Sequence, residues 1–139
     1  MKHVQEHWSA ELPTGRIQVA VESCLGQSKD LIGFAARRNP ARAFLFLSKV
    51  LGKHYPSTPA AMEATHHALA AEVSKPNGPV VFIGMAETAT GLGQGVFEAW
   101  LRQHPGGQAL YLQTTRYRVD GARCMVFEES HSHAPRLFL

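Results

Sequence analysis

Long apolar runs are absent from this chain. The most hydrophobic stretch, Ala43–Leu47, is only strand-sized, whereas a helix that spans a bilayer needs about 20 apolar residues. A signal-peptide core is missing as well, because Met1–Ala10 is polar and carries His3, His7 and Glu6. Cysteine is scarce: Cys24 and Cys124 stand far apart without metal-like pairing. That excludes a disulfide scaffold and fits reduced thiols in a cytoplasmic protein. Acid is missing from one whole region. Between Leu31 and Met62 there is no Asp or Glu, while Arg37, Arg38, Arg42, Lys49, Lys53 and His54 all fall there. Such a stretch attracts anions, although Arg37, Arg38 and Arg42 fit a solvated face equally well. The net charge of +3 is mild, and aromatic residues do not interleave with the basic ones, which argues against nucleic acid as a partner. Repeats and low-complexity segments are lacking, and the linker-like stretches Ser74–Pro79 and His104–Gln108 are too short to part domains. The 139 residues therefore read as one domain, with 1–30 as an N-terminal extension bearing a strand and 31–139 as the core.

What is present alternates between strand and helix signals. Arg16–Glu22 has Ile17, Val19 and Val21 on one face, as in a strand with one wet side. Asp30–Arg38 is ambiguous and ends before Pro40. Ala43–Leu47 reads as a strand buried on both faces. Ser57-Thr58-Pro59 starts a helix, with a hydroxyl cap followed by Pro in the first turn. It should run to about Val73, with Met62, Leu69 and Val73 on its apolar face and His66 on the same stripe as a structural residue. Pro79–Ile83 is a second buried strand. A helix follows over about Thr90–Gln103, where Leu92, Val96 and Trp100 share a side widened by Phe97 and Leu101. Ala109–Gln113 and Cys124–Phe127 complete the strands. This order implies an α/β fold, a parallel sheet with flanking helices, and in such sheets ligands sit beyond the carboxyl ends of the strands.

Four constellations could carry chemistry. Ser48, Lys49, Gly52, Lys53 and His54 form a basic loop after a buried strand, suited to phosphate. Gly84–Gly95 sets Glu87, Thr88, Thr90 and Gly91 among glycines between a strand and a helix. Glycine there costs about 1 kcal/mol each relative to Ala, so close approach to a ligand or tight helix–sheet packing must compensate. Glu87 could orient a ribose hydroxyl or a hydrated Mg²⁺ ion. Thr114-Thr115-Arg116-Tyr117-Arg118 follows Ala109–Gln113, and its alternating Arg116, Tyr117 and Arg118 suit covering a base, clamping a phosphate or an exposed edge strand equally. Glu128, Glu129, His131 and His133 include an HxH pair, a metal-like geometry. A closed site needs further ligands at convincing spacing, so no protein-held metal is assigned, and the imidazoles fit phosphate or acid–base work equally.

Phe34–Pro56, Val81–Ala99, Thr114–Tyr117 and Phe127–Ala134 resemble, in order, motifs of the orotate phosphoribosyltransferase-like family associated with tellurite-resistance and stress-response gene clusters. The resemblance implies a type I phosphoribosyltransferase fold, Rossmann-like. It implies transfer of phosphoribosyl between phosphoribosyl pyrophosphate and a base, an enzyme of nucleotide metabolism, with Mg²⁺ as cofactor. Ser48–His54 then resembles the diphosphate-binding loop. Glu87, Thr88, Thr90, Gly91, Arg116, Tyr117, Glu128, Glu129, His131 and His133 would contact the ligand. The family's acidic pair and 5-phosphate loop are expected after His133, where this sequence ends. Glu87–Gly93 carries one acid where two are expected and is read as a different loop. The chain thus resembles the family's front portion, inactive or incomplete as it stands. With its apolar end Leu137-Phe138-Leu139, that leaves open a homo-oligomer, a complementary C-terminal half, or a non-catalytic nucleotide-binding or assembly module.

Overall fold

The computed structural model describes residues 5–22, 28–39, 43–74, 76–87, 89–118, 120–121, 124–128 and 136–139. They divide into two compact units, Met1–Met62 and Glu63–Leu139.

In the first unit, β1 (Glu6–Leu12) and β2 (Gly15–Val21) form an antiparallel hairpin, registered from Glu6 opposite Val21 to Leu12 opposite Gly15. Both strands alternate half-buried and exposed residues, the period that one covered face requires. β2 matches the expected strand. β1 was not expected, although Trp8, Ala10 and Leu12 carry the same period. The ambiguous stretch resolves into a short α1 (Ser28–Leu31) and β3 (Ile32–Ala36). β3 pairs antiparallel with β4 (Phe44–Ser48). Phe34 sits between Trp8 and Phe46, with ring centroids 5.6 and 5.0 Å away. The expectation of a β4 buried on both faces is corrected: it belongs to a two-stranded hairpin, and Phe46 is 54% exposed. α2 (Pro59–Glu72) begins as the sequence predicts, with the Thr58 hydroxyl accepting the Ala61 N–H at 3.2 Å.

The second unit is built on one parallel crossover. β5 (Val80–Gly84) leads through α3 (Thr90–Gln103) to β6 (Ala109–Gln113), and β5 and β6 pair from Val80 opposite Ala109 to Gly84 opposite Gln113. Trp100, 1% exposed, anchors α3 on this pair 5.6 Å from the Phe82 ring, and its indole N–H donates to the Val73 carbonyl at 3.3 Å. β7 (Val126–Glu128) and β8 (Arg136–Phe138) pair antiparallel, and Phe138 bridges to Thr115. The expected extended parallel sheet is not seen among the described residues, which form four two-stranded pairs with only β5–β6 parallel. Val81 and Leu110 lie on its uncovered face, 54% and 55% exposed.

The stripe expected on α2 also shifts. Leu69 is 43% exposed, whereas Ala70 is fully buried with Ala99 and Trp100. His66 lays its ring against Gly95, where any Cβ would collide with it. Small residues at Ala70, Gly95 and Ala99 therefore let α2 and α3 approach. Overpacking such a contact costs about 1–3 kcal/mol, so Ala70→Leu should lower the urea-unfolding free energy by that much. Leu69→Ala should change it by less than about 1 kcal/mol. Equal losses from both variants would contradict this packing.

Candidate functional site

β4 ends at Ser48, whose Oγ accepts the Val50 N–H at 3.3 Å. Lys49 then turns back toward α1: its N–H donates to the Leu31 carbonyl and its Nζ to the Lys29 carbonyl at 2.6 Å. Its stem lies 3.3 Å from the position a Cβ on Gly33 would take. Gly52 takes a positive φ of 66°, which glycine adopts without steric cost. Lys53 and His54 are exposed beyond it. The five residues called a diphosphate loop therefore part company. Ser48 and Lys49 belong to the α1 side, and Gly52, Lys53 and His54 form an outer bend.

Lys49 instead helps line a cleft of about 450 Å³ within the first unit, together with Trp8, Phe34, Tyr55, Lys29 and Glu11. The Lys29 ammonium stands 5.9 Å from the Trp8 ring centroid. Glu11 is taken by Arg16, and among the described residues no ion pair involves Lys29 or Lys49. The wall is braced by a small polar network. Buried Ser28 accepts the Trp8 indole N–H at 2.8 Å, and donates its hydroxyl and its backbone N–H to the Glu6 carboxylate. The Ser28 hydroxyl, then its N–H, hold Glu6 below the usual carboxylate range.

In the second unit, β5 delivers the chain to the Gly84–Gly91 loop and α3 takes it away. The Tyr111 hydroxyl occupies the space beside both Gly84 and Gly93 and donates to Gln113, and burial pushes its phenol above the usual range. These glycines are packing residues, whereas a Cβ on Gly91 would meet open space. The Ala86–Glu87 peptide bond is cis. The Ala86 N–H donates to the Thr114 hydroxyl at 2.7 Å. The Thr90 hydroxyl turns back to the Glu87 carbonyl at 2.9 Å, and no side chain caps α3. Arg116 stands beside the loop with Nη1 3.6 Å from the Glu87 carboxylate, and its buried Nε has no hydrogen-bond partner.

The structure thus brings Glu87, Thr90, Gly91 and Arg116 to one loop. Tyr117, 78% exposed, follows Arg116 through a turn closed on the Thr115 hydroxyl. Glu128 faces Arg136 across β7–β8 at 4.0 Å. Thr88, Glu129, His131 and His133 lie outside the described residues. Sequence reasoning missed Trp8 and Lys29. Trp8 was legible in the β1 alternation, whereas Lys29 carries no local signal of its role. Thr114 was named only as part of the Thr114–Tyr117 motif.

A strand, a loop and a helix joined by a parallel crossover place the Gly84–Gly91 loop at the carboxyl end of β5, where ligands sit in open α/β sheets. The protein family described as phosphoribosyl transferase matches residues 31–139. The chain belongs to that family. No curated protein and no solved structure matches it. The match takes in β3 to β8 and leaves out β1 and β2, so Trp8 and Lys29 lie outside it. No described helix is long and apolar enough to cross a membrane.

The Glu6 brace gives a pH signature. A carboxyl whose folded pKa is depressed stabilises above its unfolded pKa, and that contribution fades as pH falls through the folded value. The difference in urea midpoint between the natural chain and Glu6→Gln should be widest at neutral pH and close in acid. A difference independent of pH would remove the network from the stability of this unit.

Proposed function

We propose that this chain binds phosphoribosyl pyrophosphate or a nucleotide through the Gly84–Gly91 loop, and transfers phosphoribosyl to or from a nitrogenous base. The observation that supports this most is the Arg116 guanidinium beside that loop, inside the segment matched by the family. In such a transfer the sugar carbon becomes cation-like while negative charge builds on the departing diphosphate. Preorganised donors aimed at that charge lower the barrier. Arg116, with an unpartnered Nε, is such a donor, and α3 opens without a side-chain cap. Glu87, 68% exposed, suits a ribose hydroxyl or a hydrated Mg²⁺ ion. Among the described residues no three metal-ligating side chains converge. One carboxylate fits an ion that arrives with the diphosphate better than a resident one. When bound, Mg²⁺ would supply charge neutralisation.

Taken by itself, the cleft of the first unit suits a planar ligand with negative charge. Aromatic walls would stack on it, and among the described residues Lys29 and Lys49 have no ion-pair partner. The finer kinship, to the orotate-type branch associated with tellurite resistance, rests on the four sequence motifs. A second reading, a nucleotide-binding module without turnover, is favoured by the presence of a single carboxylate at the loop.

Titration calorimetry with phosphoribosyl pyrophosphate and Mg²⁺ tests the proposal. Charge-assisted hydrogen bonds contribute about 1.5–3 kcal/mol, so Arg116→Ala should weaken binding by at least about tenfold. Lys53→Ala, on an exposed bend, should change it by less than about threefold. Equal affinity of Arg116→Ala and the natural chain would remove the loop as the site. Diphosphate release in the presence of bases separates transfer from binding alone.

A further inference from the structure

We propose that Thr114 is a positioning residue, whose buried hydroxyl sets the loop shape in which Glu87 and Arg116 meet an anionic ligand. The inference rests on the Gly84–Gly91 reading above and adds to it a residue that touches no ligand. Thr114 directly follows β6 and is 2% exposed. Its Oγ accepts the Ala86 N–H at 2.7 Å and donates to the Gly84 carbonyl at 3.4 Å, and its own N–H donates to that carbonyl at 2.9 Å. One side chain thus ties both the start and the middle of the loop to the end of β6. The connection is short on both sides. Ala86 immediately precedes Glu87, and Thr114 stands two residues before Arg116. The bond between them therefore fixes the spacing of the carboxylate and guanidinium that stand 3.6 Å apart.

The chemistry requires a hydroxyl. It must accept from an amide and donate to a carbonyl at the same buried point. Serine can do both, and valine has threonine's shape but can do neither. Thr114→Val leaves the Ala86 N–H without its acceptor, and a buried amide in that state drives the backbone to another conformation.

The full chain is titrated with inorganic diphosphate and Mg²⁺, and amide hydrogen exchange is followed without ligand. Thr114→Val should weaken diphosphate binding about tenfold, and Thr114→Ser by no more than about threefold. In an Arg116→Ala background Thr114→Val should cost almost nothing further, because the two act as one unit. Exchange at Ala86 should quicken at least about tenfold while the amides around Trp100 keep their protection. If Thr114→Val loses that protection, Thr114→Ala takes its place with the same expectations. Binding as tight as the natural chain's, an unchanged Ala86 exchange rate, or a penalty that adds in full to that of Arg116→Ala overturns the role of Thr114 and leaves the loop as the site. A natural chain that gives no heat with diphosphate overturns the loop reading itself, and this role with it.

Discussion

The packing of α3 on the β5–β6 pair governs the geometry of the second unit. Trp100 presents a large apolar surface to Phe82, while its indole N–H finds the Val73 carbonyl, which satisfies a polar atom that burial would otherwise penalise. Nearer the loop, Phe97 meets both Phe82 and Tyr111, at 5.6 and 5.7 Å. Tyr111 in turn fills the space that a side chain at Gly84 or Gly93 would need. The glycines are therefore a consequence of how closely helix and strand approach. That approach brings the first turn of α3 to the carboxyl end of β5, which is where a parallel crossover places a ligand.

The first unit solves a different problem. Aromatic rings pack its hairpins together. Phe34 contacts Trp8, Phe44 and Phe46. Trp8 is held in place by Ser28, and Ser28 by Glu6, a charge-assisted arrangement stronger than a neutral hydrogen bond. The result is a cleft with fixed walls and two ammonium groups at its edge. Half of that wall comes from residues before Leu31, where the family match begins.

Local periodicity made much of the fold legible. α3 and β6 have the predicted bounds, and α2 begins at the Thr58-Pro59 signal. Pairing was not legible, because an apolar run such as Ala43–Leu47 states that a strand forms and is silent on its neighbour. β4 pairs with β3 as a hairpin, and among the described residues its pairing is antiparallel, unlike the parallel geometry on which the reading of Ser48–His54 was based. The stripe on α2 misled for a related reason. Leu69 is more hydrophobic than Ala70, yet helices in close contact bury the smaller residue. In the site, Glu87 and Arg116 were recognised as separate motifs, and their meeting is a tertiary fact. Thr114 stood in the Thr114–Tyr117 motif, but its role in holding the loop depends on tertiary hydrogen bonds that no spacing reveals.

Charge and placement gave different answers about where an anion would sit, and placement has the stronger physical case. A basic loop is visible in a sequence because charges are countable, but exposed lysines are screened and gain little from a diphosphate they only approach. Lys49 is further committed to the Lys29 carbonyl. At Gly84–Gly91 the cations are fewer and the order greater. A strand end, a helix start and a buried threonine are tied together by hydrogen bonds, with one guanidinium beside them. Preorganisation of that kind costs nothing at the moment of binding, whereas a mobile lysine must first give up its rotamers. An acid-free basic stretch thus marks where anions are drawn. The ordered donors around Thr114 are what place the proposed site at Gly84–Gly91.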